Sequence, residues 1–199
     1  AMINHLDAQV GDIMNKLEEL GIADNTIVIL WSDHGYHLGE KLTFRKFTLW
    51  EEANRVPFII YDPRDKSKGG QVYDKAVSLI NVYQTISDFT GIKAPSYVDG
   101  MSLLPVLQDP SIKLDAPVIT SWGKGNYAIR KGPWRYIRYF DGEEELYNHD
   151  TDPNEWKNLI KNKNIQEAKK ELREHLPTNE APTIRDYWAP WSLVGADRK

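Results

Sequence analysis

The segment Thr26-Ile27-Val28-Ile29-Leu30-Trp31-Ser32-Asp33-His34-Gly35 constrains the fold of this chain more than any other stretch. Ile27 to Leu30 is a short apolar run between Asn25 and Gly35, which reads as a strand covered on both faces in an α/β sheet. Its end delivers a carboxylate, Asp33, and an imidazole, His34, into a glycine turn. Ligands of open α/β sheets bind beyond the carboxyl ends of the strands, so this pair stands where a ligand is expected. Side by side, the two groups can share one cation or one proton-transfer task.

The flanking sequence supplies the rest of a layered α/β architecture. Ile3, Leu6, Val10, Ile13, Met14, Leu17 and Leu20 recur mostly at three- and four-residue steps, the pattern of an amphipathic helix packed on a sheet, with Gly21 in the usual C-terminal position. A loop from Gly35 to about Phe44, a short helical stretch near Thr48 to Ala53 and a second strand, Val56 to Tyr61, follow. Ala76 to Ile80 reads as a short strand and Val82 to Thr90 as a helix ended by Gly91. Pro95 to Pro110 holds too many breakers for a long element.

After Pro110 the character changes. Val118 to Trp122, Tyr127 to Arg130, Trp134 to Tyr139 and Glu145 to Tyr147 are short aromatic or β-branched runs separated by glycine turns, the signature of a small antiparallel sheet. Asp152-Pro153-Asn154-Glu155 reads as a helix start with Trp156 as the anchor of its turn, and Ile165 to Leu176 as a packed helix. The tail after Pro177, broken at Pro182 and Pro190, is expected to wrap the surface. The domains expected are therefore residues 1–113, an α/β part, and 114–199, an antiparallel sheet with a helix and an extended tail.

Arg45 and Lys46 lie past a loop that can double back over the strand end. Alone each is a solvated cation; beside a metal they suit a tetrahedral oxyanion, lysine as a point charge and arginine as a fork. His37 is a candidate substrate contact against a default of an exposed loop histidine. Trp122 is a candidate sugar-stacking residue, although alternation explains most aromatic residues of the small sheet as core. His5, His149 and His175 lack partners in the sequence and read as structural.

Composition removes several classes. The chain has 199 residues, 41% of them hydrophobic, enough for one ordinary domain or a large and a small subdomain. A net charge of −4 offers no blanket positive field, so nucleic acid is not expected as a partner. No apolar stretch reaches ~18 residues, so no membrane-spanning helix is expected. The absence of Cys excludes disulfides, thiolate metal sites and a cysteine nucleophile within this sequence.

Ser32-Asp33-His34-Gly35-Tyr36-His37-Leu38-Gly39-Glu40-Lys41, then Lys46, then Trp50 to Ile60 resemble the C-terminal half of a type I, formylglycine-dependent sulfatase, within the alkaline phosphatase superfamily. The iduronate and choline sulfatase branch is the most similar. Asp99 to Pro105, Glu144 to Tyr147, and Asp152 to Leu159 extend the likeness, which runs from residue 3 to about 183. The resemblance implies part of a sulfatase sheet flanked by helices plus the small C-terminal sheet. It implies Asp33 and His34 as ligands of a divalent cation, Ca²⁺ in most relatives, although an imidazole ligand leaves Mg²⁺, Mn²⁺ or Zn²⁺ open on chemistry alone. Lys46 would hold the sulfate and neutralise its developing charge. The expected ligand is a sulfated small molecule or glycan, and the parent is expected in a periplasmic, secreted or lysosomal setting.

The sequence departs from the family in one respect that bears on activity. It has no Cys, and no Ser stands in the Cys/Ser-x-Pro/Ala-x-Arg motif from which formylglycine is made. The nucleophile, the paired aspartates of the metal shell and the remaining sulfate-binding groups are absent, so the chain reads as a fragment that is inactive by itself. Self-association through the truncated face is expected. Two alternatives stand beside this reading: a phosphodiesterase or phosphonate monoester hydrolase of the same superfamily, and a non-catalytic binding module.

Overall fold

Most of the apolar runs form the expected elements, with bounds shifted by a few residues. The computed structural model describes residues 2–180, with the side chains of Lys66 and Lys68 omitted, so the tail expected to wrap the surface lies mostly outside the described residues. The chain divides into two compact units, residues 1–33 with 56–72, and residues 34–55 with 73–199. The expected boundary at 113/114 falls inside the second unit. The loop after Asp33 groups with the C-terminal sheet because its apolar side chains are buried there.

In the first unit, helix α1 (Met2–Glu19) ends at Gly21, whose φ of 66° is the left-handed turn that a glycine makes without strain. Strands β1 (Val28–Trp31) and β2 (Phe58–Tyr61) pair antiparallel, with Leu30 opposite Ile59 and Trp31 opposite Phe58. The expectation of a strand covered on both faces is corrected here. No residue of α1 or β1 is buried, and Ile3, Leu6, Ile13, Trp31 and Ile59 are all exposed. The α1 stripe predicted to pack on a sheet is therefore left largely open.

The second unit is built on a four-stranded antiparallel meander, β3 (Val118–Ser121), β4 (Tyr127–Lys131), β5 (Trp134–Arg138) and β6 (Glu144–Asn148), in sequence order. Successive strand residues point to opposite faces, and here both faces are covered. Ala128, Ile137 and Tyr147 cluster with Leu49 from the loop after Asp33, with Trp50, Trp122 and Tyr139 packed around them. Ile129, Tyr136 and Leu146 cluster with Leu172 of helix α5 (Gln166–Arg173), backed by Trp134, Ile160 and Ile165. The aromatic residues are thus core on two sides rather than a half-buried stripe.

The remaining elements are short: α2 (Glu51–Asn54), α3 (Asn81–Thr90) and α4 (Leu104–Gln108). Residues 76–80 form no strand, which corrects that expectation. The Asp99-Gly100-Met101-Ser102 loop is fixed to α3 instead. Leu103 N–H donates to Thr85 Oγ1 at 2.9 Å, and Met101 N–H to Asn81 Oδ1 at 3.3 Å. Gly100 has φ 98°, and a Cβ there would lie 2.5 Å from Ile80 O, so only glycine permits this approach.

Candidate functional site

Asp33 ends the first segment of the first unit, and His34 begins the second unit. Asp33 is exposed, with Ser32 Oγ 3.4 Å from its Oδ1. After it the backbone must pass helix α2 closely. Gly35 N–H donates to Ala53 O at 2.9 Å, and a Cβ on Gly35 would sit 1.9 Å from Glu52 O. The glycine of the Asp-His-Gly run is thus required by helix packing, not by a ligand.

The loop then folds back on itself. His37 N–H donates to Arg45 O and Gly39 N–H to Thr43 O, both at 3.0 Å, while Tyr36 Oη donates to Phe44 O at 3.1 Å. Gly39 (φ 127°), Lys41 (φ 51°) and Leu42 (φ 57°) reverse the chain in left-handed conformations. This return brings Lys46, twelve positions on, to His34: Nζ lies 2.7 Å from Nε2. His34 Nδ1 lies 2.7 Å from Gly35 O, so the Nδ1–H tautomer donates there and leaves Nε2 as the lone-pair atom. That tautomer is the one a metal-ligating imidazole uses, held by a second hydrogen bond to a carbonyl. In this structure Lys46 Nζ takes that lone pair, so Nε2 is free to ligate a divalent cation only when the lysine turns from the ring toward an anion.

The other sequence candidates fare differently. Arg45 is exposed, and Lys46 is half-buried with Nζ 5.6 Å from the Phe47 ring centroid. Phe47 stacks on Trp122 with centroids 6.3 Å apart and planes at 20°, so Trp122 reaches the neighbourhood of Lys46 through Phe47. His37 is corrected. It is fully buried, with Nε2 2.7 Å from Thr48 Oγ1 and its edge against Trp50, and its ring has no surface open to a substrate. Burial lowers its pKa, and its Nδ1 has no hydrogen-bond partner, so the ring is neutral.

A second group of polar residues escaped sequence reasoning. Glu155, in the Asp-Pro-Asn-Glu turn, has φ 57° and is buried, whereas Trp156, the expected anchor, is 62% exposed. Glu155 Oε1 lies 2.7 Å from Arg135 Nε and 2.9 Å from His149 Nε2, and Oε2 accepts from Glu51 N–H at 2.9 Å. Arg135, also buried, ion-pairs with Glu51 through Nη2 and donates from Nη1 to Leu49 O at 3.1 Å. Lys41 Nζ donates to Glu155 O and to Tyr147 Oη, and stands over the Trp50 and Tyr147 rings. Burial lowers the Lys41 pKa. Burial also raises the Glu155 carboxyl, but His149, Arg135 and the Glu51 N–H outweigh it and hold the pKa below the ordinary value. Ligand atoms of Glu51, His149 and Glu155 lie within 4.8 Å of one another, a spacing that suits a metal. Arg135 already supplies the cation at that point, so the cluster reads as a salt-bridge network. One signal was available in the sequence: Arg135 shares an inward strand face with Ile137, and a buried guanidinium requires carboxylate partners.

Comparison with known proteins gives matches among sulfatases. Residues 1–92 match the sulfatase family model. A sulfatase from Formosa agariphila is 36% identical over 91% of this chain and 35% of its own length. An N-acetylglucosamine-6-O-sulfatase from Bacteroides thetaiotaomicron is 30% identical over 88% of this chain and 34% of its own length. A structure solved in complex with its substrate D-glucosamine-2-N,6-O-disulfate superposes with a TM-score of 0.76 at 29% identity, over 86% of this chain and 37% of that one. The chain spans about a third of the length of the curated relatives it matches. These relatives do not single out the iduronate and choline sulfatase branch.

Proposed function

We propose that this chain, which belongs to the sulfatase family, forms the lysine wall of a sulfate-ester hydrolysis site in a longer parent protein. The observation that carries the reading is the 2.7 Å approach of Lys46 Nζ to His34 Nε2, across a loop that folds back on itself. Asp33 and His34, adjacent in the chain, hold a divalent cation, which we take as Ca²⁺ from the family resemblance. When bound, such a cation supplies Lewis-acid neutralisation of the sulfuryl oxygens. Lys46 acts as a compact point charge on the sulfate, and its attraction strengthens as the S–O bond breaks and charge gathers on the oxygens. His34 is kept in the ligating tautomer by Gly35 O.

The substrate class is a sulfated sugar. Support comes from the relative named as a glucosamine sulfatase, the neighbour bound to a disulfated glucosamine, and the Phe47–Trp122 stack beside Lys46. With neither Cys nor a Ser in the formylglycine motif, the chain alone does not turn over sulfate esters. In the parent, Lys46→Ala is expected to lower kcat on 4-nitrophenyl sulfate and on a 6-O-sulfated glucosamine by about 10²- to 10³-fold with an unchanged Tm. A parent that cleaves aryl phosphonate monoesters but not sulfate esters would overturn the reading in favour of the related hydrolases. Metal-dependent aryl sulfate turnover by the isolated chain would overturn its inactivity.

A further inference from the structure

We infer that the C-terminal sheet sets the position of Lys46 through a buried carboxylate–guanidinium clamp, in which Glu155 and Arg135 are positioning residues. The inference rests on the reading of Lys46 as the sulfate-binding cation. Each member of the clamp ends on the backbone of the loop or of the turn that grips it. Glu155 Oε2 accepts from Glu51 N–H, Arg135 Nη1 donates to Leu49 O, and Lys41 Nζ donates to Glu155 O. A fourth grip is Trp50 Nε1, which donates to Glu145 Oε2 on β6 at 2.7 Å.

The grips bracket the lysine. Lys41 lies five residues before Lys46, and Leu49 to Glu51 three to five residues after it. The loop is also tied internally at His37–Arg45, Gly39–Thr43 and His37–Thr48. Lys46 is therefore held from both sides, with only its side chain left to find His34. Apolar contacts alone would not achieve this. Leu49 buries against Ala128 and Ile137, but apolar packing is non-directional, whereas hydrogen bonds to N–H and C=O groups fix the path of the backbone. A buried ion cluster costs desolvation that an apolar replacement would avoid, so its gain lies in specifying one geometry. Positional errors of about 1 Å cost large factors in rate, which gives that geometry its value.

The test uses this chain and reads the site rather than turnover. Long-range ¹H–¹⁵N spectra report the His34 ring, and amide hydrogen exchange reports the loop. Glu155→Gln keeps the size of the side chain and removes its charge. It is expected to move the His34 ring nitrogen signals and to speed exchange at His37 and Gly39 on the order of a hundredfold, with β3–β4 amides unchanged. Lys41→Met, which leaves both carboxylates and Arg135 in place, is expected to move the same signals less far, and serves if Glu155→Gln does not fold. Unchanged His34 signals with unchanged loop exchange overturn the clamp. A rise shared equally by the loop and β3–β4 also overturns it, because the residues then serve global stability alone. A parent without sulfatase activity but with displaced His34 signals overturns the proposed function and leaves the clamp standing.

Discussion

Gly35 and Glu155 are the two positions where one residue decides the local backbone. A methyl group on Gly35 meets the Glu52 carbonyl at 1.9 Å, and backbone cannot yield as a flexible side-chain tip does. Gly35→Ala is expected to destabilise the fold by about 1–3 kcal/mol in urea unfolding and to shift the His34 ring signals. Two buried titratable groups contribute to the response to acid. His37 has a folded pKa depressed by burial, so the unfolded chain binds the proton more readily, and stability is lost as pH falls below the ordinary histidine value of 6.5. Glu155 also has a depressed folded pKa, so its contribution is full above the ordinary glutamate value of 4.5 and is lost as pH falls through its lower folded value. Urea midpoints between pH 7 and pH 3 should therefore fall in two stages. His37→Gln should remove only the upper stage; a single stage in the unmodified chain would contradict the assignment.

Among the elements, the β3–β6 meander organises the most. Its alternation splits neighbouring residues between a loop-facing and a helix-facing core, so one strand such as β5 sends Tyr136 to α5 and Ile137 to Leu49. Truncating the helix side tests whether the two cores are independent. Leu172→Ala is expected to cost about 2–5 kcal/mol in unfolding free energy, while the His34 ring signals stay in place at low denaturant. Displaced His34 signals in that variant would show instead that α5 packing reaches the loop through the sheet. Polar bonds reinforce the same side, with Tyr136 Oη donating to Glu144 and Lys169 Nζ 2.6 Å from Glu144 Oε2.

For the whole molecule, the open surface of the first unit has the larger consequence. Ile3, Leu6 and Ile13 on α1 and Ile59 on β2 are more than half exposed, and exposed apolar side chains drive association. We propose that the isolated chain self-associates through these residues. Sedimentation velocity is expected to show concentration-dependent oligomers that Leu6→Lys with Ile13→Lys abolishes. A monomer at all concentrations for the unmodified chain would remove the proposal. In the parent, the same substitutions are expected to lower stability, because the apolar stripe then has a covering partner.

The sequence by itself determined the helix periods and the hairpin turns of the small sheet, because these signals are local in the chain, and it put forward Asp33, His34 and Lys46 as candidates. Gly91 at the end of α3, with φ 71°, is such a signal. Only tertiary structure decided that His37 is buried, that residues 76–80 form no strand, and that Glu155 rather than Trp156 pins its turn. The physical reason is separation along the chain. Arg135 meets Glu51 across 84 positions and Glu155 meets Glu51 across 104, and no spacing rule spans such distances. Burial is a property of what a side chain finally faces, so it is settled when the loop, the turn and the sheet close on one another.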